Sequence, residues 1–261
     1  MSDFSPEHAA GILHQLRTAR RTVLPLPAQH APRTVHEGAA VQRLLAVHLG
    51  ACPPAGFKIG ATAQRMQEYL GLSGPAAGFM APAGLLNSGA SLPFSELVQP
   101  GAECEIAVRL GRDLPPRQCT QDQAGEAVGE LFAAIEVVEN RYDDLALLGT
   151  PTLIADQVFH RAAVLGRPAP GDWRALDYDA LNGQISVNGE VRSEGRATDL
   201  LGHPLNSLAW LAGSPVAAAF GGLKAGQVVM LGSVTPPIWL THPCTVTVEF
   251  APLPPVVVQL L

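Results

Sequence analysis

Apolar residues recur at helical spacing in the N-terminal part of the chain. Ser5 followed by Pro6 is typical of a helix start, and Thr34 with Glu37 has the spacing of a capping box. The second helix is expected to end at Gly50, because glycine commonly follows the last helical turn. This part of the chain is therefore predicted to be mostly helical.

Further along, apolar and polar residues alternate with the two-residue period of a β-strand. Residues 101–110 carry Glu103 and Glu105 in this pattern, which predicts a half-buried strand with both carboxylates on one face. Residues 132–139 form a second apolar run that contains Glu136. Acids are rare in such apolar surroundings unless they are paired or bind a metal.

The remaining patterns predict a β-rich second part. A helix is expected over residues 120–131, and a strand pair, or one strand with an irregular start, over 152–156 and 158–166. Asn188 and Gly189 favour a type I′ turn and therefore a hairpin. Because strands and helices do not alternate regularly, the fold class is predicted as α+β.

A domain boundary is expected where periodic patterns disappear. Residues 73–97 are rich in Gly, Pro, Ala and Ser and are interpreted as a linker with short strands. The predicted division gives a mostly helical N-terminal region, residues 1–80, and a β-rich catalytic domain, residues 81–261.

Composition narrows the class of protein. With 261 residues, 47% of them hydrophobic, the chain can bury a sizeable core. A formal charge of −6 without basic runs argues against nucleic acid and anionic membranes, and no apolar run approaches the ~20 residues of a membrane span. Four irregularly spaced cysteines and a start without signal-peptide blocks predict a reduced, cytoplasmic protein.

The three carboxylates offer hard oxygen ligands to a divalent cation. If they meet at about 5 Å in an effective dielectric of about 20, each ionised pair costs about 3 kcal/mol, which bound Mg²⁺ or Mn²⁺ would convert into ligation. Alternating acids are also common on solvent-facing strands, so the spacing of Glu103 and Glu105 leaves both interpretations open. Zinc is not favoured, because no His or Cys lies at ligand spacing.

Lysine, serine and histidine side chains are further candidates. Lys58, in the strand-like residues 57–60, either holds an anionic group or lies on an exposed edge strand. Ser233 has no assigned base, so nucleophilic catalysis has little support. His160 and His203 are interpreted as packed or capping histidines.

Together these segments resemble the 2-oxopent-4-enoate hydratases and 4-oxalocrotonate decarboxylases of the fumarylacetoacetate hydrolase superfamily. The similar segments are FKIGAT at 57–62, ECEIA at 103–107, AIEVVENR at 134–141, IAD at 154–156, NGE at 188–190, GHP at 202–204, AWLA at 209–212, LKAG at 223–226 and GSVT at 232–235. The resemblance implies a β-rich fold of the fumarylacetoacetate-hydrolase C-terminal type, preceded by a smaller helical N-terminal part.

The resemblance also implies a site and a reaction. Mg²⁺ or Mn²⁺ would be held by Glu103, Glu105 and Glu136. Hydration of an unsaturated 2-oxo acid, such as 2-hydroxypenta-2,4-dienoate in the degradation of aromatic compounds, would follow. Lys58 would be catalytic and bind the substrate, and the other substrate-binding residues would be Asp156, Ser233 and Thr235. A homo-oligomer, associated with a pathway decarboxylase or hydratase, is also implied.

Two departures from the family pattern keep alternatives open. Ala76 occupies the position at which the hydratases carry an acidic residue, and residues 157–160 replace the family's NAS(S/C) segment. The first departure favours an oxalocrotonate-type decarboxylase as the alternative reaction. An acylpyruvate C–C hydrolase would need a base such as the adjacent His36 and Glu37, which lie in a predicted helix. A non-catalytic role as partner of another enzyme is the alternative from a different class.

Overall fold

The computed structural model describes residues 4–70, 72–144 and 147–261, which form two mixed β-sheets with helices. The helices are α1 (Pro6–Thr18), α2 (Val35–His48), α3 (Gln64–Leu70), α4 (Gln121–Ala127), α5 (Gly149–Ala155), α6 (Pro204–Ala212) and α7 (Pro215–Ala219). The strands are β1 (Gly56–Gly60), β2 (Ala76–Met80), β3 (Leu85–Asn87), β4 (Ala90–Leu92), β5 (Pro100–Leu110), β6 (Val128–Glu139), β7 (His160–Pro168), β8 (Asn182–Val187), β9 (Glu190–Arg196), β10 (Val228–Ser233), β11 (Ile238–Trp239), β12 (Cys244–Glu249) and β13 (Val256–Leu260). The α+β class is confirmed.

The two N-terminal helices begin where their caps predict. The Ser5 side chain accepts a hydrogen bond from the backbone of α1, and Thr34 and Glu37 form both halves of the capping box of α2. Leu13 and Leu45 are buried in the small core between these helices. Helix α2 also packs against α5 and α7, which fixes the helical layer to the rest of the fold.

The larger sheet brings the candidate carboxylates together. Its strands run in the order β2-β1-β10-β5-β6-β7-β3, and β11 pairs with β5. Strands β5 and β6 are antiparallel and in the middle, and their register places Glu103 directly opposite Glu136. Strand β1, which carries Lys58, lies between β2 and β10 and is not an edge strand.

The domain division at residue 80 stays a prediction. Strands β1 and β2 both precede that position, and both pair within the larger sheet alongside strands of the later part of the chain. Residues 1–80 therefore contribute strands as well as helices to the fold.

The smaller sheet, in the order β4-β13-β12-β8-β9, packs against β5, β6 and β7. Cys104 and Ile106 are fully buried, as expected for the face opposite the carboxylates. The prediction that this strand is half-buried is wrong, because Ala107 on the carboxylate face is also fully buried, in a second apolar cluster with Phe132 and Met230.

Two predicted elements differ from the structure. Helix α4 ends at Ala127, and the expected helical continuation to residue 131 is the start of β6, where strand pairing prevails over helical periodicity. Residues 152–155 belong to helix α5 and not to a strand. The side chain of Gln42 on α2 donates to the carbonyl oxygen of Ile154, so packing against α2 decides the conformation of this β-branched segment.

The remaining strand predictions agree with the structure. Asn188 and Gly189 both have positive φ and join β8 to β9 as a hairpin. No helix among the described residues is long and apolar enough to cross a membrane.

Candidate metal centre and active site

Glu103, Glu105 and Glu136 form a compact cluster of carboxylates at the centre of the larger sheet. One oxygen atom of each lies within 4.8 Å of the others. Glu105 and Glu136 are fully buried, and Glu103 is partly exposed. The antiparallel register of β5 and β6 produces the cluster, because side chains at opposite and alternate positions share one face.

A bulge in β10 orients Glu105. The register between β10 and β5 shifts between Met230 and Ser233, and the backbone N–H of Gly232 donates to Glu105 Oε2 at 3.0 Å. Gly232 has φ of +112°, and a Cβ there would lie 2.4 Å from Thr62 Oγ1. Both the conformation and the space therefore require glycine.

Glu136 has a different partner at each oxygen. Lys58 Nζ lies 3.2 Å from Oε2, and His160 Nδ1 lies 2.7 Å from Oε1. All three side chains are almost completely buried. Glu136 is therefore the best compensated carboxylate of the cluster.

The pKa values of the site follow from burial and from this pairing. Burial, with the charge of Glu136, raises the pKa of Glu103 to about 8, and burial with both neighbouring acids raises the pKa of Glu105 well above its usual value. Burial opposes ionisation of Glu136, but Lys58 and His160 outweigh it and lower the pKa. Burial likewise opposes charge on Lys58, but the acids, led by Glu136, raise its pKa.

His160 shows the opposite balance to Lys58. Burial lowers the pKa of its imidazole in spite of the hydrogen bond to Glu136. The site thus contains more carboxylates than nearby ammonium groups, and a divalent cation would supply the missing positive charge.

The donor set fits a hard divalent cation. Glu105 Oε1 is buried without a hydrogen-bond partner among the described residues, Glu136 Oε2 has only the ion pair with Lys58, and Glu103 lies beside them. Buried carboxylate oxygens without partners are costly in the metal-free protein. Carboxylate oxygens are the ligands that Mg²⁺ and Mn²⁺ prefer, so all three residues are suited to hold such an ion.

A small, largely apolar cavity of about 50 Å³ opens beside the cluster. Lys58 and Glu103 are the charged groups among the lining side chains that the structure describes. The other lining residues are Gly60, Ala61, Thr62, Ala63, Met66, Val138, Val158, Phe159, Ser233, Pro237 and Trp239. A ligand with one anionic group, bound at Lys58, and an otherwise apolar body matches this lining.

An unusual backbone segment forms one wall of the cavity. Gln157, Val158 and Phe159 have φ values of 59°, 53° and 66°, a left-handed conformation that is strained for a β-branched residue such as Val158. The Gln157 side chain donates to the carbonyl oxygen of Phe79 at 2.8 Å, which holds this turn against β2. The turn ends at His160, the first residue of β7.

Comparison with known proteins shows the family of the chain. The model of the fumarylacetoacetate (FAA) hydrolase C-terminal family matches residues 59–260, which include all the strands that carry the carboxylates. The chain belongs to this family. The family resemblance inferred from the sequence and the family's β-rich fold are confirmed.

Relatives within the family include enzymes named as hydratases. The chain is 36% identical over 181 residues to a 2-keto-4-pentenoate hydratase of Burkholderia vietnamiensis, which covers 69% of this chain and 68% of the relative. It is 31% identical over 229 residues to a 2-hydroxyhexa-2,4-dienoate hydratase of Comamonas testosteroni, and this match covers 86% of the chain and 85% of the relative. The chain is thus related to enzymes of the hydratase kind.

A solved structure shares the whole fold. The 4-oxalocrotonate decarboxylase of Pseudomonas putida G7, complexed with magnesium and adipate, superposes with a TM-score of 0.88 over 100% of both chains at 23% identity. At this identity, the likeness establishes the fold.

The substrate-binding residues expected from the family pattern do not all meet. Lys58 and Ser233 line the cavity, but the Ser233 hydroxyl donates to the carbonyl oxygen of Thr235 at 2.7 Å. The Thr235 hydroxyl is buried without a hydrogen-bond partner among the described residues and is not part of the lining.

Asp156 lies apart from the cavity lining. Its carboxylate accepts hydrogen bonds from Arg17 Nε at 2.6 Å, Arg141 Nη2 at 3.0 Å and Tyr142 Oη at 2.9 Å. Burial opposes ionisation, but both arginines, Arg141 before Arg17, outweigh it and lower the pKa of Asp156. The structure thus places Asp156 in a buried ion network, while a substrate contact stays a prediction.

The departure from the family pattern at Ala76 has a structural counterpart. Ala76 lies in β2 opposite Gly60, fully buried, so this position offers no acidic group. His36 and Glu37 do not supply one: His36 is exposed, and Glu37 caps α2.

Sequence reasoning missed three contributors to the site. The interpretation of His160 as a packed or capping histidine is incomplete, because it contacts Glu136. Thr62 lines the cavity, and its buried hydroxyl has no hydrogen-bond partner among the described residues. Val158 and Phe159 line the cavity, and the departure from the family pattern after Asp156 could have pointed to them. The left-handed turn that they form has no signature in the sequence.

Proposed function

We propose that the protein is a divalent-metal-dependent hydratase that adds water to an unsaturated 2-oxo acid such as 2-hydroxypenta-2,4-dienoate. The observation that carries this proposal is the meeting of a buried three-carboxylate cluster with Lys58 at one apolar cavity. Its family relatives named as hydratases support the choice of reaction.

Glu103, Glu105 and Glu136 would hold Mg²⁺ or Mn²⁺. When bound, the ion supplies Lewis acidity that stabilises negative charge on the 2-oxo group. The backbone N–H of Gly232 keeps Glu105 in place by occupying its second oxygen. This support comes from the strand framework and does not depend on a mobile loop.

Lys58 would bind the substrate carboxylate or the developing enolate through its ammonium group. It projects from a strand buried on both sides, so its position is fixed before the substrate arrives. Val158, Phe159 and Trp239 would pack against the hydrocarbon part of the substrate and exclude water from its apolar end. A monocarboxylic acid suits this lining better than a diacid, whose second carboxylate would lack a cation among the described lining side chains.

A second candidate is decarboxylation of an oxalocrotonate-type diacid. Ala76 favours it, because decarboxylation requires an electron sink but no group that activates water. The apolar lining argues in the other direction, so a direct comparison of the two reactions is needed.

The deciding experiment uses the full-length protein with Mg²⁺ or Mn²⁺. We expect loss of the ultraviolet absorbance of 2-hydroxypenta-2,4-dienoate with formation of 4-hydroxy-2-oxopentanoate, and no release of CO₂ from oxalocrotonate. Release of CO₂ without hydration would establish the decarboxylase instead. Failure to bind Mn²⁺ between micromolar and millimolar concentrations would remove both enzymatic proposals and favour a role as a partner protein.

We further propose that the protein is a cytoplasmic homo-oligomer that associates with another enzyme of the same pathway. Light scattering of the purified protein tests the first part, since a monomer at working concentration would contradict it. Co-purification with a pathway decarboxylase or hydratase tests the second.

A further inference from the structure

The two oxygens of Glu136 are not equivalent. Oε1 faces His160 Nδ1 at 2.7 Å, whereas Oε2 faces Lys58 Nζ at 3.2 Å and has no aligned hydrogen bond. An ionised carboxylate can only accept hydrogen bonds, so the imidazole proton must be on Nδ1. His160 therefore occupies one of the two oxygens that Glu136 offers.

The backbone fixes the position of His160 on both sides. On one side it starts β7 and pairs with Val138 of β6, next to an irregularity in the register. On the other side it follows the left-handed turn of residues 157–159, which the Gln157 side chain holds against β2. Because the ring is also buried, it has little freedom to leave Glu136.

We propose that His160 is a positioning residue that restricts Glu136 to ligation of the divalent cation through Oε2 alone. This inference rests on the proposed metal centre. A cation at Oε2 would take the place of Lys58 as the partner of that oxygen. Lys58 would then be free to bind the substrate carboxylate, so metal loading would prepare the substrate site.

This role differs from that of a packed histidine. Partners that orient a metal ligand through a hydrogen bond change metal affinity about 10- to 100-fold when removed. A histidine that only fills space would affect stability without a specific effect on the ion. Metal affinity therefore separates the two roles.

The test compares the Mn²⁺ dissociation constants of His160→Leu and His160→Asn with that of the wild type by titration calorimetry. Asparagine keeps an N–H donor near the position of Nδ1, and leucine does not. We expect His160→Leu to bind Mn²⁺ about 10- to 100-fold more weakly, and His160→Asn to recover affinity to within a few-fold of the wild type. His203→Asn is the matched control, because His203 caps α6 and its asparagine replacement remains a good N-cap.

Wild-type affinity in His160→Leu would overturn the inference while leaving the proposed function intact. Equal loss in the leucine and asparagine variants would also overturn it, because the hydrogen bond would then not be the cause. A wild-type protein that binds no Mn²⁺ would remove the proposed metal centre and this inference together.

A second measurement does not depend on the stability of the leucine variant. In ¹⁵N-histidine spectra of the wild type with and without Mg²⁺, the resonances of His160 are identified by their absence in His160→Asn. We expect the Nδ1–H tautomer in both states. The Nε2–H tautomer would contradict the contact with Glu136 and overturn the inference.

Discussion

Glu105 has one oxygen bound by the Gly232 N–H and one buried oxygen without a described partner. Glu105→Gln would keep the shape of the side chain but remove its negative charge. We expect Mn²⁺ affinity to fall at least 100-fold, because a neutral amide is a much weaker ligand than a carboxylate for a hard cation. Titration calorimetry measures the effect.

Glu249→Gln is the matched control, since Glu249 is an exposed acid on strand β12. Its Mn²⁺ affinity should equal that of the wild type. Wild-type affinity in Glu105→Gln would refute the ligand assignment.

Lys58 is one of two lysines in the chain, and the other, Lys224, is an exposed partner of Asp113. Lys58→Met keeps the aliphatic volume but removes the charge. A hydrogen bond to a charged group contributes about 1.5–3 kcal/mol, so kcat/KM for 2-hydroxypenta-2,4-dienoate should fall about 10- to 150-fold. Mn²⁺ affinity should be retained or increased, because Lys58 no longer competes for Glu136.

Steady-state kinetics with Lys224→Met as control would check this expectation. Unchanged turnover in Lys58→Met would remove Lys58 from the site. Loss of Mn²⁺ affinity would instead show that Lys58 supports the metal centre directly.

At the residue scale, the sequence was sufficient to predict the position of side chains that follows from the two-residue period of a strand. Alternation placed Glu103 and Glu105 on one face, and the structure brings both together with Glu136. Lys58 was ambiguous, since its burial depends on pairing with β10, far away in the chain. The contact of His160 was beyond prediction because it depends on a left-handed turn of non-glycine residues.

At the scale of secondary-structure elements, the buried ion network at Asp156 connects separate parts of the fold. Arg17 of α1 and Arg141 beyond β6 both pair with this carboxylate, directly before the turn that forms the cavity wall. Asp156→Asn would remove the charge partner of the partly buried Arg17 and leave Arg141 paired with Glu139 alone. We expect a loss of about 3–5 kcal/mol in the free energy of unfolding, the usual effect of breaking a buried ion pair.

Urea denaturation measures this loss, with Asp113→Asn as the control on an exposed ion pair, where the free energy of unfolding should hardly change. Wild-type stability in Asp156→Asn, together with a raised KM, would contradict the structural role. It would favour the substrate contact that the family pattern implies.

Elements were predictable where local signals were strong. The capping box of α2 and the Asn188–Gly189 hairpin are examples, because a few neighbouring side chains determine each of them. Helix α5 was not predictable, because Thr152 and Ile154 favour strands and only packing against α2 makes this segment helical. The end of α4 at Ala127 depends in the same way on pairing between β5 and β6.

At the scale of the whole molecule, the carboxylate cluster lies on β5 and β6, which are buried on both faces: the smaller sheet covers one face, and an apolar cluster of the larger sheet surrounds the carboxylate face. Burial at this position raises the pKa of Glu103 from 4.5 in the absence of the fold to about 8. A raised carboxyl pKa contributes stability that is present below pH 4.5 and lost as pH rises through about 8. Stability of the entire fold is therefore linked to the charge of the metal centre.

We accordingly expect the metal-free protein to lose thermal stability between pH 6.5 and 8.5, and Mg²⁺ to restore it. His160 has a lowered pKa, so its contribution to stability increases as pH rises. That increase is complete above pH 6.5, the ordinary pKa of histidine, and does not affect the range from pH 6.5 to 8.5. At a free concentration of about 100 times its dissociation constant, a ligand stabilises by about 2.7 kcal/mol, or about 5–10 °C in Tm. Because Mg²⁺ competes with protons for the carboxylates, its shift of Tm should be larger at pH 8.5 than at pH 6.5. Differential scanning calorimetry measures the loss of Tm with rising pH and the shift of Tm by Mg²⁺. Glu103→Gln should flatten the dependence of Tm on pH in the metal-free protein. Equal Mg²⁺ shifts of Tm at both pH values would contradict the linkage.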